Sequence, residues 1–75
     1  MTNKATKLEL LAKNIKKIRL QKGLSQNQLA EILNISREHL AKIETTKRSM
    51  SLKLLFKLSE VLNISLAELF TFKES

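Results

Sequence analysis

The sequence predicts an all-α fold of five short helices in one domain spanning residues 1–75. No segment alternates polar and apolar residues with the period of two that marks a β-strand. Proline is absent and glycine occurs once, so little interrupts the helical spacing of the apolar residues. Three helix starts also carry a capping box, in which Ser or Thr is followed three residues later by Glu or Gln.

The first helix begins after Thr6, which forms a capping box with Glu9. Its apolar residues recur at helical spacing and make one inward face: Leu8, Leu11, Ala12, Ile15 and Ile18. Gly23 stands where a left-handed residue ends such a helix, because glycine adopts a positive φ without steric penalty. Residues 1–6 are expected to form a flexible arm.

Two short amphipathic patterns, joined by a corner at residues 34–36, lie at about residues 26–45. Ser25 with Gln28 starts the second helix, and Ser36 caps the third. Small Ala30 permits the two helices to approach closely. Four aliphatic residues fill the wedge between these helices: Leu29, Leu33, Leu40 and Ile43. This arrangement indicates a helix-turn-helix of helices two and three, whose polar outer face is free to read the DNA major groove.

The fourth helix is expected to run from Ser51 to about Leu62, and Ser65 with Glu68 starts a short fifth helix. An inward stripe of helix four consists of Leu55, Leu58 and Leu62, bordered by Leu52 and Ser59. We expect its remaining apolar residues to point elsewhere: Leu54, Phe56 and Val61. Leu69 is assigned to the core.

The positive charge is concentrated in the first two thirds of the chain. Residues 1–50 hold eleven Lys and Arg against four Glu, whereas residues 51–75 hold three of each sign. The attraction for a polyanion therefore accompanies the helix-turn-helix, and the tail is neutral and apolar.

The composition argues against several other classes of function. Without cysteine and with a single histidine, the chain lacks the ligands of a typical metal site, so no metal or cofactor is expected. Catalysis has weak support because no aspartate or cysteine accompanies that histidine. No secretory signal or membrane span is apparent, which favours the cytoplasm. A membrane-surface basic helix is disfavoured because helix one mixes its lysines with a stripe that the other helices need. Because a single domain is predicted, without a second domain to sense a ligand, no small-molecule effector is expected.

The stretch from Leu11 to Phe70 resembles the lambda-repressor-like, Cro/C1-type (XRE) helix-turn-helix domain. Three segments carry this resemblance: IKKIRLQKGLSQNQLAEILNIS, LAKIE and LFKLSEVLNISLAELF. The resemblance implies a compact five-helix DNA-binding fold and a transcriptional regulator. Within the family, SREHLAKIETTKRSMS resembles the controller proteins of restriction–modification systems. The chain departs from the family at Asn34 and Thr46, where glycine is common, and at Met50, where proline is frequent.

Residues at the start of helix three are the candidate base readers. Arg37 can bind guanine through a bidentate contact, Glu38 can accept from cytosine, and His39 can bond an acceptor or touch a thymine methyl. Lys42 lies one turn further along the same face, as a contact to a base or to phosphate. The competing interpretation of this cluster is a solvated helix start.

Further residues are candidates for contacts to the DNA backbone. Gln26 resembles the family's phosphate clamp, although it could serve only the cap of helix two. The remaining candidates flank the helix-turn-helix: Ser25, Thr45, Lys47 and Arg48, of which Arg48 resembles a residue that also reaches a base. The family resemblance assigns Arg19 and Glu44 to a structural ion pair between helices one and three.

The tail, residues 51–72, is expected to close a homodimer through Leu66, Phe70 and Phe72, because exposed aromatic residues are unfavourable on a monomer. Such a dimer would bind double-stranded DNA at a palindromic operator. The alternative for these three residues is that they cover the small core. The alternative function is an antitoxin whose apolar tail masks a toxin while its helix-turn-helix controls the shared operon. Neighbouring genes would distinguish the two functions.

Overall fold

The computed structural model describes residues 6–45 and 50–71 of the chain. Over these residues five helices follow one another: α1 (Lys7–Gln21), α2 (Gln26–Leu33), α3 (Arg37–Glu44), α4 (Leu52–Leu62) and α5 (Leu66–Leu69). All regular structure in these two ranges is helical, which confirms the predicted all-α fold. None of the described helices combines the length and hydropathy that a membrane crossing requires.

Every helix begins where its capping residue predicted. The hydroxyl of each cap accepts a hydrogen bond from the backbone N–H three residues on, at Thr6, Ser25, Ser36, Ser51 and Ser65. Reciprocal capping boxes are complete at α1, α2 and α5, as expected. These contacts satisfy backbone donors that the first turn of a helix otherwise leaves unpaired.

Within the two described ranges, three residues with positive φ follow the ends of helices. Gly23 has φ +73° after α1, as predicted. Asn34 takes φ 60° in the corner between α2 and α3, and Asn63 takes φ 55° between α4 and α5. Asparagine can hold this conformation because its short polar side chain tolerates the left-handed region.

The core is shared by all five helices. Its buried members are Leu11, Ala12, Ile15, Ile18, Leu29, Ala30, Leu33, Leu40, Ile43, Leu58, Leu62 and Leu69. The four aliphatic residues predicted for the α2–α3 wedge, Ala30 between them, and Leu69 are all buried, which confirms those assignments.

The expectation for the outer side of α4 was partly wrong. Leu54 and Val61 pack half-buried against the core, whereas Phe56 is exposed as expected. The reason is that α4 contacts both α2 and α5, so more than one stripe of its surface is covered. Leu52 lies outside it, with 65% of its surface exposed.

Candidate nucleic-acid interface

The first turn of α3 presents polar side chains from a helix that is anchored on its opposite face. Leu40 and Ile43 are fully buried beneath it, and the Ser36 hydroxyl accepts from the His39 backbone N–H at 3.0 Å. Arg37 and Glu38 are exposed, and His39 is half-buried. The structure therefore brings the three first-turn candidates together at one helix start, on a rigid support.

Lys42 is exposed one turn beyond this cluster, on the same helix. Within the described residues, the side chains of Arg37, Glu38 and Lys42 make no hydrogen bond or ion pair. Nothing inside the described fold therefore competes with an external partner for these charged groups.

Arg19 and Glu44, the pair that the family resemblance suggested, lie in contact between α1 and α3. The Arg19 Nε donates to Glu44 Oε2 at 2.8 Å, and Nη2 donates to Oε1 at 3.2 Å. Nη1 donates to the backbone carbonyl of Leu24 at 2.7 Å. The two side chains are only 6% and 1% exposed, so the charges are withdrawn from solvent but well supplied with partners.

Gln26 makes a contact that neither of its expected roles included. Its Nε2 donates to Glu44 Oε1 at 3.0 Å, which joins the side chain to the end of α3. A contact from Gln26 to phosphate stays a prediction. Ser25, which precedes it, is exposed and engaged in the capping box: its hydroxyl accepts from the Gln28 N–H at 3.0 Å. The Gln26 contact therefore joins the start of α2 to the end of α3.

The candidates after α3 are only partly described. Thr45 is exposed, and its hydroxyl donates to the carbonyl of Ala41 at 2.8 Å. Lys47 and Arg48 lie outside the described residues, as does Thr46. Their contacts to the DNA backbone stay predictions.

Two further polar side chains, Asn14 and Lys57, make contacts that were not foreseen from the sequence. Asn14 is buried, and its amide donates to the carbonyls of Leu69 at 2.7 Å and Glu68 at 3.3 Å, which ties α1 to the end of α5. Its spacing gave a signal, because Asn14 stands three residues after Leu11 on the inward face of α1. Lys57 donates to the Leu33 carbonyl at 3.3 Å and so caps the end of α2, a contact that no local pattern indicates.

A groove of about 260 Å³ joins the turn of the helix-turn-helix to α4. His39, Asn34, Ser51 and Lys53 are among its lining residues. Lys53, which the sequence patterns did not single out, therefore adds a positive charge beside the start of α3.

The three candidate dimer residues of the tail differ in their exposure and in whether the structure describes them. Phe70 is 47% exposed, as expected of an unfilled contact surface. Leu66 is half-buried and packs against the chain's own core, which agrees more closely with the alternative role of covering it. Phe72 lies outside the described residues.

Comparison with known proteins shows the family to which the chain belongs. A family model described as Helix-turn-helix, HTH_3, matches residues 15–69. The control protein C.SmaI from Serratia marcescens is 38% identical over 63 residues, which cover 84% of this chain and 75% of that protein.

Solved structures of similar fold extend the comparison. The restriction-modification controller protein C.AhdI from Aeromonas hydrophila superposes with a TM-score of 0.78 and 32% identity, over 83% of this chain and 94% of that one. SinR, a master regulator for biofilm formation solved in complex with DNA, gives a TM-score of 0.74 and 32% identity, over 81% and 98% of the two chains.

Proposed function

Because the chain belongs to the helix-turn-helix family of transcriptional regulators, we propose that it binds double-stranded DNA sequence-specifically, as a homodimer on a palindromic operator. The observation that carries this proposal is the first turn of α3. It presents Arg37, Glu38 and His39 from a helix whose opposite face is locked into the core. A helix held in this way can enter the major groove without rearrangement.

The three side chains differ in what they can recognise. The Arg37 guanidinium matches the O6 and N7 acceptors of guanine, a contact worth about 1–3 kcal/mol of discrimination. Glu38 accepts from cytosine N4 and repels acceptor edges, so it excludes other bases as well as selecting one. His39 and Lys42 extend the contact along the same helix face.

Contacts to phosphate orient the protein on the duplex. We assign them to Gln26 and Ser25 at the start of α2, and to Thr45, Lys47 and Arg48 after α3. The net charge of +7 supports this assignment because cationic side chains displace the counterions of DNA. The DNA complex of the similar regulator SinR also supports a DNA partner.

We further propose a restriction–modification controller role, acting in the cytoplasm. Its support is the similarity to C.SmaI and C.AhdI, which are named control and controller proteins. Dimerisation through Leu66, Phe70 and Phe72 would place two copies of α3 one turn of DNA apart. The antitoxin alternative uses the same exposed Phe70 for a different protein, and no observation on the described residues favours it.

Selection of bound duplexes from a random pool, followed by sequencing, tests the proposal. We expect enrichment of a two-fold symmetric motif whose half-sites are centred about 10 base pairs apart. A pool that stays random after repeated rounds at moderate salt would contradict sequence-specific binding, and an enriched single half-site would contradict the homodimer.

A further inference from the structure

We propose that Glu44 is a positioning residue for DNA binding, because it holds the Gln26 amide in the orientation that donates to a phosphate. The inference rests on the proposed function and adds a role for a buried residue that cannot itself reach DNA. The Glu44 side chain is 1% exposed, whereas Gln26 is half-buried at the start of α2.

The chemistry of the contact fixes which way the amide faces. An ionised carboxylate only accepts hydrogen bonds, so the Gln26 group turned toward Glu44 must be the NH2 rather than the carbonyl oxygen. The Nε2 to Oε1 distance of 3.0 Å is that of a good hydrogen bond. The amide has a second N–H, and among the described residues it makes no other hydrogen bond. That N–H is available to a phosphate oxygen.

The ion pair between Arg19 and Glu44 also fixes the backbone next to Gln26. Arg19 donates to the Leu24 carbonyl at 2.7 Å, two residues before Gln26, while its other nitrogens hold Glu44. The α2 start is therefore held at the backbone by Arg19 and at the side chain by Glu44. A glutamine held in one rotamer loses less conformational entropy on binding than a free one.

A positioning role for Glu44 and a purely structural role predict different effects of Gln26 on DNA binding. If Glu44 acts through Gln26, removal of the acceptor should abolish the benefit of Gln26 even in a protein that remains fully folded. If Glu44 only stabilises the fold, Gln26 should contribute equally with and without it.

The test is a double-mutant cycle in a background that keeps the fold. Arg19→Met with Glu44→Met removes both charges together, which leaves the net charge at +7 and avoids stranding one buried ion. Gln26→Ala is then made in the wild type and in this charge-free background. Affinity is measured by fluorescence titration for a duplex selected by the wild type, at a temperature where circular dichroism shows all variants folded.

We expect Gln26→Ala to weaken binding about fivefold in the wild type, which is the effect of about one lost hydrogen bond. In the charge-free background the same change should weaken binding less than about twofold. The paired Arg19→Met and Glu44→Met changes alone should weaken binding by a similar factor, with an unchanged salt slope. Gln28→Ala is the matched control: it truncates a glutamine on the same helix that bonds only within the cap, so its effect should be equal in both backgrounds.

An equal loss from Gln26→Ala in both backgrounds would overturn the positioning role while leaving DNA binding intact. A wild-type protein that selects no duplex would overturn the proposed function and this inference together. NMR of the DNA-free protein gives a separate readout: the Gln26 side-chain NH2 should show one slowly exchanging proton, lost in the charge-free background. Rapid exchange of both protons in the wild type would also overturn the inference.

Discussion

Replacing Glu44 with alanine removes the only anionic partner that Arg19 has among the described residues. The Arg19 side chain is 6% exposed and that of Glu44 is 1% exposed, so water cannot readily take the place of the lost carboxylate. One of the three hydrogen bonds of Arg19 survives, to the carbonyl of Leu24, and Gln26 loses its acceptor as well.

The expected loss of stability is large for a chain of this size. Removing one member of a buried ion pair typically costs about 3–5 kcal/mol, because the other charge stays buried. A 75-residue domain has a total unfolding free energy of about 4–11 kcal/mol. At about 4–8 °C per kcal/mol, the melting temperature should fall by more than about 12 °C.

Urea and thermal unfolding, followed by circular dichroism at one protein concentration, measure this effect. Glu31→Ala is the control because Glu31 is exposed on α2, so the change should stay within about 0.5 kcal/mol. The difference between the two variants should persist at high salt, since a buried pair is poorly screened. Equal unfolding midpoints for Glu44→Ala and Glu31→Ala would refute the assignment of a stabilising ion pair.

Three further predictions concern other parts of the molecule. Arg37→Ala should weaken binding to the selected operator by about 1–3 kcal/mol and to random DNA much less, and equal losses on both would show a phosphate contact instead. Phe70→Asp should leave a monomer in sedimentation at concentrations where the wild type is a dimer, since a dimer would bury the new charge; a wild type that is monomeric at tens of micromolar would reject the interface. Hydrogen bonds from the backbone N–H and side chain of Thr6 lower the pKa of the Glu9 carboxyl below 4.5. The cap of α1 should therefore be intact above that pH and should weaken as the pH falls through the lowered pKa. A midpoint of 4.5 or higher in an NMR titration of the Glu9 carboxyl would contradict this prediction.

The helix starts could be predicted because capping is a local interaction. Ser36 and Ser51 bond to the backbone three residues ahead, so the sequence contains both partners of each contact. The left-handed turn at Gly23 is local in the same way, since it depends on the glycine itself.

The contacts that were missed join residues far apart in the sequence. Asn14 meets the carbonyl of Leu69 across 55 positions, and Lys57 meets that of Leu33 across 24. A backbone carbonyl is the acceptor in both cases, so no particular residue type marks the partner. The link between Gln26 and Glu44 was hidden for a related reason: each residue already had an expected partner of its own, phosphate for one and Arg19 for the other.

Chemical protection of the selected operator tests most directly whether the first turn of α3 reads base edges in the major groove. Dimethyl sulfate methylates guanine at N7, an acceptor that a bidentate Arg37 contact would cover. Wild-type protein should protect one guanine N7 at equivalent positions of each half-site, and Arg37→Ala should restore its methylation while the rest of the complex persists. Binding that leaves every guanine N7 reactive, or protection that survives Arg37→Ala unchanged, would contradict the claim.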